Sequence, residues 1–168
     1  MLLDVIKNRY SVRKFSPKKI ESNKLEIILE AARLAPSARN TQPWKFVVIQ
    51  NDEKRAQLTE ICRGQQFVAD APITIAICCN NLDYRMGCGQ PASVIDGALA
   101  SQNIALQCVE LGLGTCWIGA FQQEPAAKLI ELPDDWEVIG LLPIGYPEID
   151  KGNRNLKPRE EVVAFDRF

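Results

Sequence analysis

The sequence predicts an α+β fold in which helices flank a small mixed or antiparallel sheet. Amphipathic helical runs and short runs rich in β-branched residues both occur, and their interrupted alternation does not suit a purely parallel α/β sheet. The 168 residues are enough for one domain spanning residues 1–168 with a hydrophobic core. No internal repeat or linker divides the chain.

The predicted elements follow from residue periodicity and from the residues at their ends. After Ser22, apolar residues recur at helical spacing until the helix must stop before Pro36. Runs rich in β-branched and aromatic residues predict strands, and the run 73–79, apolar except for Thr74, predicts a buried one. Helices are predicted at residues 2–8, from 22 to before Pro36, and at 53–62, 93–111 and 124–130, and strands at 44–50, 73–79, 115–118 and 137–144.

Two segments carry predictions about packing. The helix 93–111 is apolar around most of its circumference, which predicts a central helix packed on several sides. Residues 145–168 are polar and interrupted by proline, with little to bury by themselves. Such an arm is stable only against another surface, such as that of a second subunit.

Composition excludes several classes of function. A net charge of −1 provides no field for nucleic acid, and no apolar stretch is long enough to span a membrane. The charged N-terminus lacks the apolar region of a signal peptide, so we expect a cytoplasmic protein whose six cysteines are reduced. The chain has no histidine, which excludes Ser-His-Asp and Cys-His catalysis and His-ligated zinc. No metal site is expected, and an enzyme of this composition would rely on an organic cofactor.

Four segments contain candidate binding residues. In an extended segment Arg9, Ser11 and Arg13 would point the same way, a donor set that suits phosphate, although a solvated basic loop fits the same pattern. Residues 35–44 offer amides for a flat heterocycle or form a simple turn. The glycines of residues 112–121 allow a ligand to approach the backbone, or end a helix before a buried strand. Lys157 and Arg159 frame a proline in the arm.

Together and in this order, the four segments resemble the FMN-dependent nitroreductase family. The family motifs R-x-S-x-R-x-[FY], P-S-x-x-N-x-Q-P-W and G-L-G-x-x-x-x-G, and a basic arm followed by E-x-V, all occur between residues 2 and 165. The resemblance implies a homodimer with two FMN sites at the subunit interface. It assigns Arg9, Ser11, Lys157 and Arg159 to the phosphate and ribityl chain, and Arg13 to the pyrimidine edge as an electrostatic stabiliser. Pro36, Ser37 and Asn40 would come from the partner subunit, and the backbone of Ile118 and Gly119 would approach N5.

The resemblance also implies ping-pong hydride transfer from NADH or NADPH, through FMN, to a small-molecule acceptor such as a nitroaromatic or a quinone. The flavin carries the hydride, so no side chain acts as nucleophile or general base, in agreement with the missing histidine. Three alternatives stay open on the same fold: a reductive dehalogenase, a flavin-destroying enzyme and a non-catalytic flavin-binding dimer.

Overall fold

A computed structural model of the protein describes residues 1–149, 151–152 and 154–168. Four strands form an antiparallel sheet in the order β1-β2-β4-β3, and helices cover it, so the predicted α+β class is confirmed. The strands are β1 (Trp44–Ile49), β2 (Ile73–Cys79), β3 (Gly114–Thr115) and β4 (Glu137–Gly145). The helices are α1 (Asp4–Asn8), α2 (Ser22–Arg33), α3 (Asp52–Ile61), α4 (Phe67–Asp70), α5 (Ala92–Glu110) and α6 (Gln123–Leu129), with 3-10 turns at Ala38–Asn40 and Arg159–Glu161.

Strand β2 lies between β1 and β4, and all seven of its residues are buried. Its side chains alternate between two core clusters, since successive residues of a strand point to opposite faces. Ile73, Ile75 and Ile77 pack with residues of α2 and α5, whereas Ala76 and Cys78 pack with residues of α3, α4 and α6. Helices therefore cover both faces of the sheet, which explains why β2 is apolar at every position except the buried Thr74.

Two elements differ from the prediction. The strand expected at residues 115–118 is reduced to β3, and Ile118 makes a separate bridge to Leu141 of β4. Between these two pairings, the Trp117 ring lies against Gly140, where an added Cβ would come within 2.5 Å of the ring. The short helix α4 was not predicted, because four residues are too few to show a helical stripe.

Helix α5 contacts α1, α2 and the sheet, in line with the predicted packing on several sides, but part of its surface stays exposed within the chain. Its buried positions follow one stripe: Ala92, Ser93, Asp96, Gly97, Ala100, Ser101, Ile104 and Cys108. Val94 and Leu99, on other faces, are 43% and 42% exposed. The apolar circumference seen in the sequence thus exceeds what this chain covers by itself.

The first residues of the predicted arm belong to the folded core, since Gly145 ends β4 and Tyr146 packs against a core cluster, so the C-terminal arm comprises residues 151–168. Every described residue from Lys151 to Phe168 is exposed, including the apolar Leu156, Val162 and Phe165. Across the described residues, no helix has both the length and the apolar character needed to cross a membrane. The same residues contain no group of three or more metal-ligating side chains.

Candidate functional site

The N-terminal segment, residues 9–15, is fixed to the edge of the sheet. Ser11 pairs in parallel with Thr115 of β3, and the N–H of Val12 donates to the Thr115 carbonyl at 3.1 Å. Val12 and Phe15 are buried at 2% and 5% exposure. Because Val12 points into the protein, its neighbours Ser11 and Arg13 face outward, as the predicted alternation requires.

A cavity of about 230 Å³ opens beside this segment. The described residues that line it belong to the N-terminal segment, to α5, to β3 and the residues just after it, and to β4. They are Arg9, Ser11, Ala98, Ser101, Gln102, Ala105, Thr115, Trp117 and Leu142. The structure thus brings together Arg9 and Ser11, two of the residues assigned to phosphate. Cofactor sites usually enclose roughly 300–1,000 Å³, so this cavity offers only part of such a site.

The Thr115 hydroxyl is a polar group left unsatisfied by the described residues, in a residue that lines this cavity. Thr115 is 4% exposed, and its Oγ1 has no hydrogen-bond partner among the described residues. A buried hydroxyl without a partner is unfavourable and uncommon in folded proteins. With the Arg9 guanidinium and the Ser11 hydroxyl nearby, Thr115 completes a donor set that fits a phosphorylated polyol such as the ribityl phosphate of FMN.

The pKa of the Cys116 thiol is affected by burial and by the charges of Arg13 and Arg9 in the same region. Burial raises the pKa of Cys116, while the Arg13 charge, a hydrogen bond with Ser11 and the Arg9 charge each act to lower it. Arg13 is therefore close to the other two predicted residues, although it is not in the described lining of the cavity. Because the net effect is a raised pKa, the buried Cys116 stays a thiol at neutral pH and is not a nucleophile.

The glycine-rich segment after α5 supplies an aromatic wall to the cavity. Trp117 is 44% exposed and lines the cavity, whereas the neighbouring Ile118 side chain lies in the core. Gly119 is exposed, and an added Cβ there would meet Trp117 Nε1 at 3.6 Å. Sequence reasoning did not single out Thr115, Trp117 or Gln102. The small residues Ala98 and Ala105 on the predicted helix 93–111 are the sequence feature that could have indicated a cavity beside this helix.

The loop from Pro36 to Gln42 lies beside the N-terminal half of α5. Arg39, Asn40 and Gln42 have positive φ angles of 55°, 57° and 50°. The Ser37 hydroxyl accepts a hydrogen bond from the Gln42 N–H at 2.9 Å. Pro36 and Asn40 are exposed, and the described lining of the cavity contains no residue of this loop.

Lys157 and Arg159 lie on the exposed arm, outside the described lining of the cavity. The start of the arm is held near the N-terminal segment, because Lys151 Nζ donates to the Lys7 carbonyl and Arg154 Nη1 to the Arg9 carbonyl at 3.3 Å. The predicted site residues therefore fall into two sets. Arg9, Ser11 and Arg13 are gathered at one place, while residues 36–40 and 157–159 lie elsewhere in the same chain.

Comparison with known proteins identifies the family of this chain. The model of the nitroreductase family matches residues 6–71 and 62–146. A Methanothermobacter thermautotrophicus protein, provisionally named NADH dehydrogenase/NAD(P)H nitroreductase, is 34% identical over 160 aligned positions. The alignment covers 92% of this chain and 82% of the relative. The structure of an FMN-dependent nitroreductase from Clostridium difficile R20291 superposes with a TM-score of 0.85 at 30% identity, covering 98% of both chains. An iodotyrosine deiodinase from Thermotoga neapolitana is 25% identical over 189 residues, covering 98% of this chain and 96% of the relative.

The helix-flanked antiparallel sheet places the chain in the α+β class, and its named relatives are oxidoreductases. Within that class, the chain belongs to the nitroreductase family.

Proposed function

We propose that the protein is an FMN-dependent oxidoreductase that uses NADH or NADPH, works as a homodimer and reduces nitroaromatics, quinones or related organic acceptors. One observation carries the proposal: Arg9, Ser11 and Thr115 line one cavity, and the buried Thr115 hydroxyl has no hydrogen-bond partner among the described residues. Membership of the nitroreductase family and the similarity to an FMN-dependent nitroreductase support it.

Two chains together would hold the phosphate and ribityl chain of FMN. An FMN phosphate carries close to two negative charges, which need two or three cations for balance. Arg9 and Ser11 of one chain supply part of this set, and we assign the remainder to Lys157 and Arg159. The exposure of the whole described arm supports its binding to a second copy, since its apolar residues remain uncovered in one chain.

The same pairing would bring Pro36, Ser37 and Asn40 to the flavin of the partner subunit. The small volume of the cavity in one chain supports a site completed by a second copy. The uncovered parts of α5, which include Val94 and Leu99, offer apolar surface for the dimer interface.

When bound, FMN supplies the redox chemistry by accepting hydride from NADH or NADPH and passing it to the acceptor. We assign Arg13 the role of stabilising negative charge on the reduced ring, because its charge already acts in this region at Cys116. The exposed backbone of Gly119 is assigned to the ring together with the backbone of Ile118.

The test is anaerobic reduction of the FMN-loaded protein by NADH and by NADPH, followed by a panel of nitroaromatic and quinone acceptors. Bleaching of the flavin and its reoxidation by an acceptor are expected. A colourless protein that ignores added FMN would contradict the proposal. FMN that binds but is not reduced would indicate the non-catalytic flavin-binding dimer instead.

The division of labour between the two arginines is tested by substitution. We expect Arg9→Ala to weaken FMN binding by roughly 1.5–3 kcal/mol, the value of a charge-assisted hydrogen bond. Arg13→Ala should lower the flavin reduction potential and slow its reduction more than it weakens binding. Isothermal titration and anaerobic redox titration measure the two effects. Equal effects of both substitutions on both quantities would contradict the assignment.

Reductive dehalogenation is the second candidate, favoured by the 25% identity to an iodotyrosine deiodinase over most of both chains. Product analysis with a halotyrosine separates the two candidates. Release of halide at a rate above that of nitroaromatic reduction would favour the dehalogenase. The flavin-destroying alternative predicts loss of the flavin spectrum when reduced FMN meets oxygen.

A further inference from the structure

The loop from Pro36 to Gln42 holds a backbone shape that it would rarely adopt by itself. Three of its non-glycine residues, Arg39, Asn40 and Gln42, lie in the left-handed region of φ. Residues with a Cβ seldom populate this region unless their surroundings impose it. The loop therefore needs anchors, and each anchor can be identified from its contacts.

Contacts with three other segments restrain the loop. The Asp96 carboxyl group on α5 accepts a hydrogen bond from the Ala38 N–H at 3.1 Å. The Asn80 N–H, just after β2, donates to the Pro43 carbonyl at 2.9 Å. The Arg39 guanidinium lies 5.4 Å from the centre of the Tyr84 ring. Of these contacts, only the Asp96 bond joins a buried side chain to the backbone inside the loop.

Asp96 is a firm anchor because its helix cannot shift at this point. At the adjacent Gly97, an added Cβ would lie 2.2 Å from Ile139 Cδ1 and 2.8 Å from Cys79 Sγ, so α5 is in direct contact with the sheet. Asp96 itself is only 2% exposed. Its position is therefore set by the core and does not follow movements of the loop.

A buried carboxyl group at this position is unfavourable for stability. The Oδ2 of Asp96 has no hydrogen-bond partner among the described residues, and neither has Oγ of the nearby Ser93. An apolar side chain would avoid this cost in a core position. The hydrogen bond that Oδ1 accepts from the Ala38 N–H therefore offers a reason why a carboxyl group occupies this position.

We propose that Asp96 is a positioning residue that fixes the Pro36–Gln42 loop, so that Ser37 and Asn40 meet the flavin of the partner subunit in a set geometry. This inference rests on the proposed function. It adds a residue that touches no flavin itself and acts through the Ala38 N–H.

The first measurement is hydrogen–deuterium exchange of the loop in the FMN-free protein. Asp96→Ala should increase exchange in residues 37–42 about tenfold, because the Ala38 N–H loses its acceptor. Asp96→Asn keeps an acceptor oxygen in the same shape and should restore slow exchange. Ser93→Ala is the matched control, since Ser93 is equally buried but makes no bond to the loop. Equal exchange in Asp96→Ala and wild type would overturn the proposal.

The second measurement is FMN affinity together with kcat and KM for NADH. We expect Asp96→Ala to weaken FMN binding about tenfold and to lower kcat at saturating FMN, with Asp96→Asn and Ser93→Ala close to wild type. Ala38→Pro removes the same donor from the loop side without altering the core, so it serves even where Asp96→Ala does not fold. Ser37, at φ −139° and ψ 156°, already has the backbone that a following proline requires.

The possible outcomes distinguish a wrong positioning role for Asp96 from a wrong proposed function. Wild-type affinity for FMN in Ala38→Pro would overturn the positioning role. Failure of the wild-type protein to bind FMN would contradict the proposed function, while the exchange experiment would still decide whether Asp96 anchors the loop.

Discussion

The N-terminal segment, residues 9–15, and the C-terminal arm, residues 151–168, carry similar cations but differ in how their own chain holds them. The first pairs with β3 and buries Val12 and Phe15, which leaves Arg9 beside the cavity. In the second, every described residue is exposed, including Lys157 and Arg159.

Arg9 is held in place by the core of its own chain, whereas Lys157 and Arg159 are exposed and would become ordered only against a second surface. Arg9 is preorganised, because the buried residues that follow it fix the backbone. Lys157 and Arg159 are not, since ordering an exposed arm costs conformational entropy that only new contacts can offset. Substitutions in the two regions should therefore differ in how strongly they weaken FMN binding.

Removal of the arm by ending the chain after Gly152 should have the largest effect. We expect FMN affinity to fall at least about 100-fold, because two charge-assisted contacts are lost. The dimer should also weaken, whereas the core should still fold. Fluorescence titration and light scattering measure both. The control is Arg9→Ala, which keeps the arm and should stay dimeric. A truncated protein that binds FMN like wild type would show that the arm has no part in the site.

Displacement of the N-terminal segment should come next. An added Cβ at Gly114 would lie 2.3 Å from Val12 Cγ2, so Gly114→Ala forces this segment away from β3. We expect a loss of about 2 kcal/mol in the free energy of unfolding, typical of overpacking, with weaker FMN binding. Urea denaturation measures the loss. Gly87→Ala, where an added Cβ meets nothing within 4 Å, should change little.

The Thr115 hydroxyl allows a test in which stability and binding respond differently. Thr115→Val keeps the shape but removes an unpartnered buried hydroxyl, so the FMN-free protein should be equally or more stable. FMN binding should weaken by about 1 kcal/mol, the value of one hydrogen bond. Thr59→Val is the matched control, because Thr59 has a buried, unpartnered hydroxyl outside the cavity lining. If both variants bind FMN equally well, the cavity is not the phosphate and ribityl site.

The smallest effect concerns the end of β4, against which the N-terminal segment runs. The Ser16 N–H donates to the Tyr146 carbonyl at 2.8 Å, and the Tyr146 hydroxyl donates to Glu21 at 2.5 Å. This hydrogen bond, the backbone N–H of Glu21 and Lys18 lower the pKa of Glu21 to about 2.

A lowered pKa means that this contact stabilises the fold at pH values above the ordinary pKa of a glutamate and is lost as the pH falls toward 2. Glu21→Gln should therefore lower the denaturation midpoint slightly at pH 7 and leave it unchanged near pH 2. Thermal denaturation at both pH values checks this. An equal difference at both would show that the charge of Glu21 is not responsible.

Much of the fold was determined by the sequence alone. The run 73–79 matches β2 residue for residue, and α2, α3, α5 and α6 lie within two residues of their predicted ends. These elements were predictable because their apolar periodicity records which side each must bury. The motif containing Arg9, Ser11 and Arg13 was also readable, since alternation along an extended segment is a local property.

Which residues line the same cavity depends on the tertiary structure and could not be predicted from the sequence. Thr115 and Trp117 join Arg9 through sheet pairing and packing over more than 100 residues of chain, and no local pattern encodes such a meeting. The sequence also did not predict which parts of α5 are exposed, or that the buried Asp96 lies beside the Ala38 N–H. A sequence shows which residues of a helix are polar, but it does not show what covers each face. Local propensity sets the elements, whereas long-range packing sets which side chains meet.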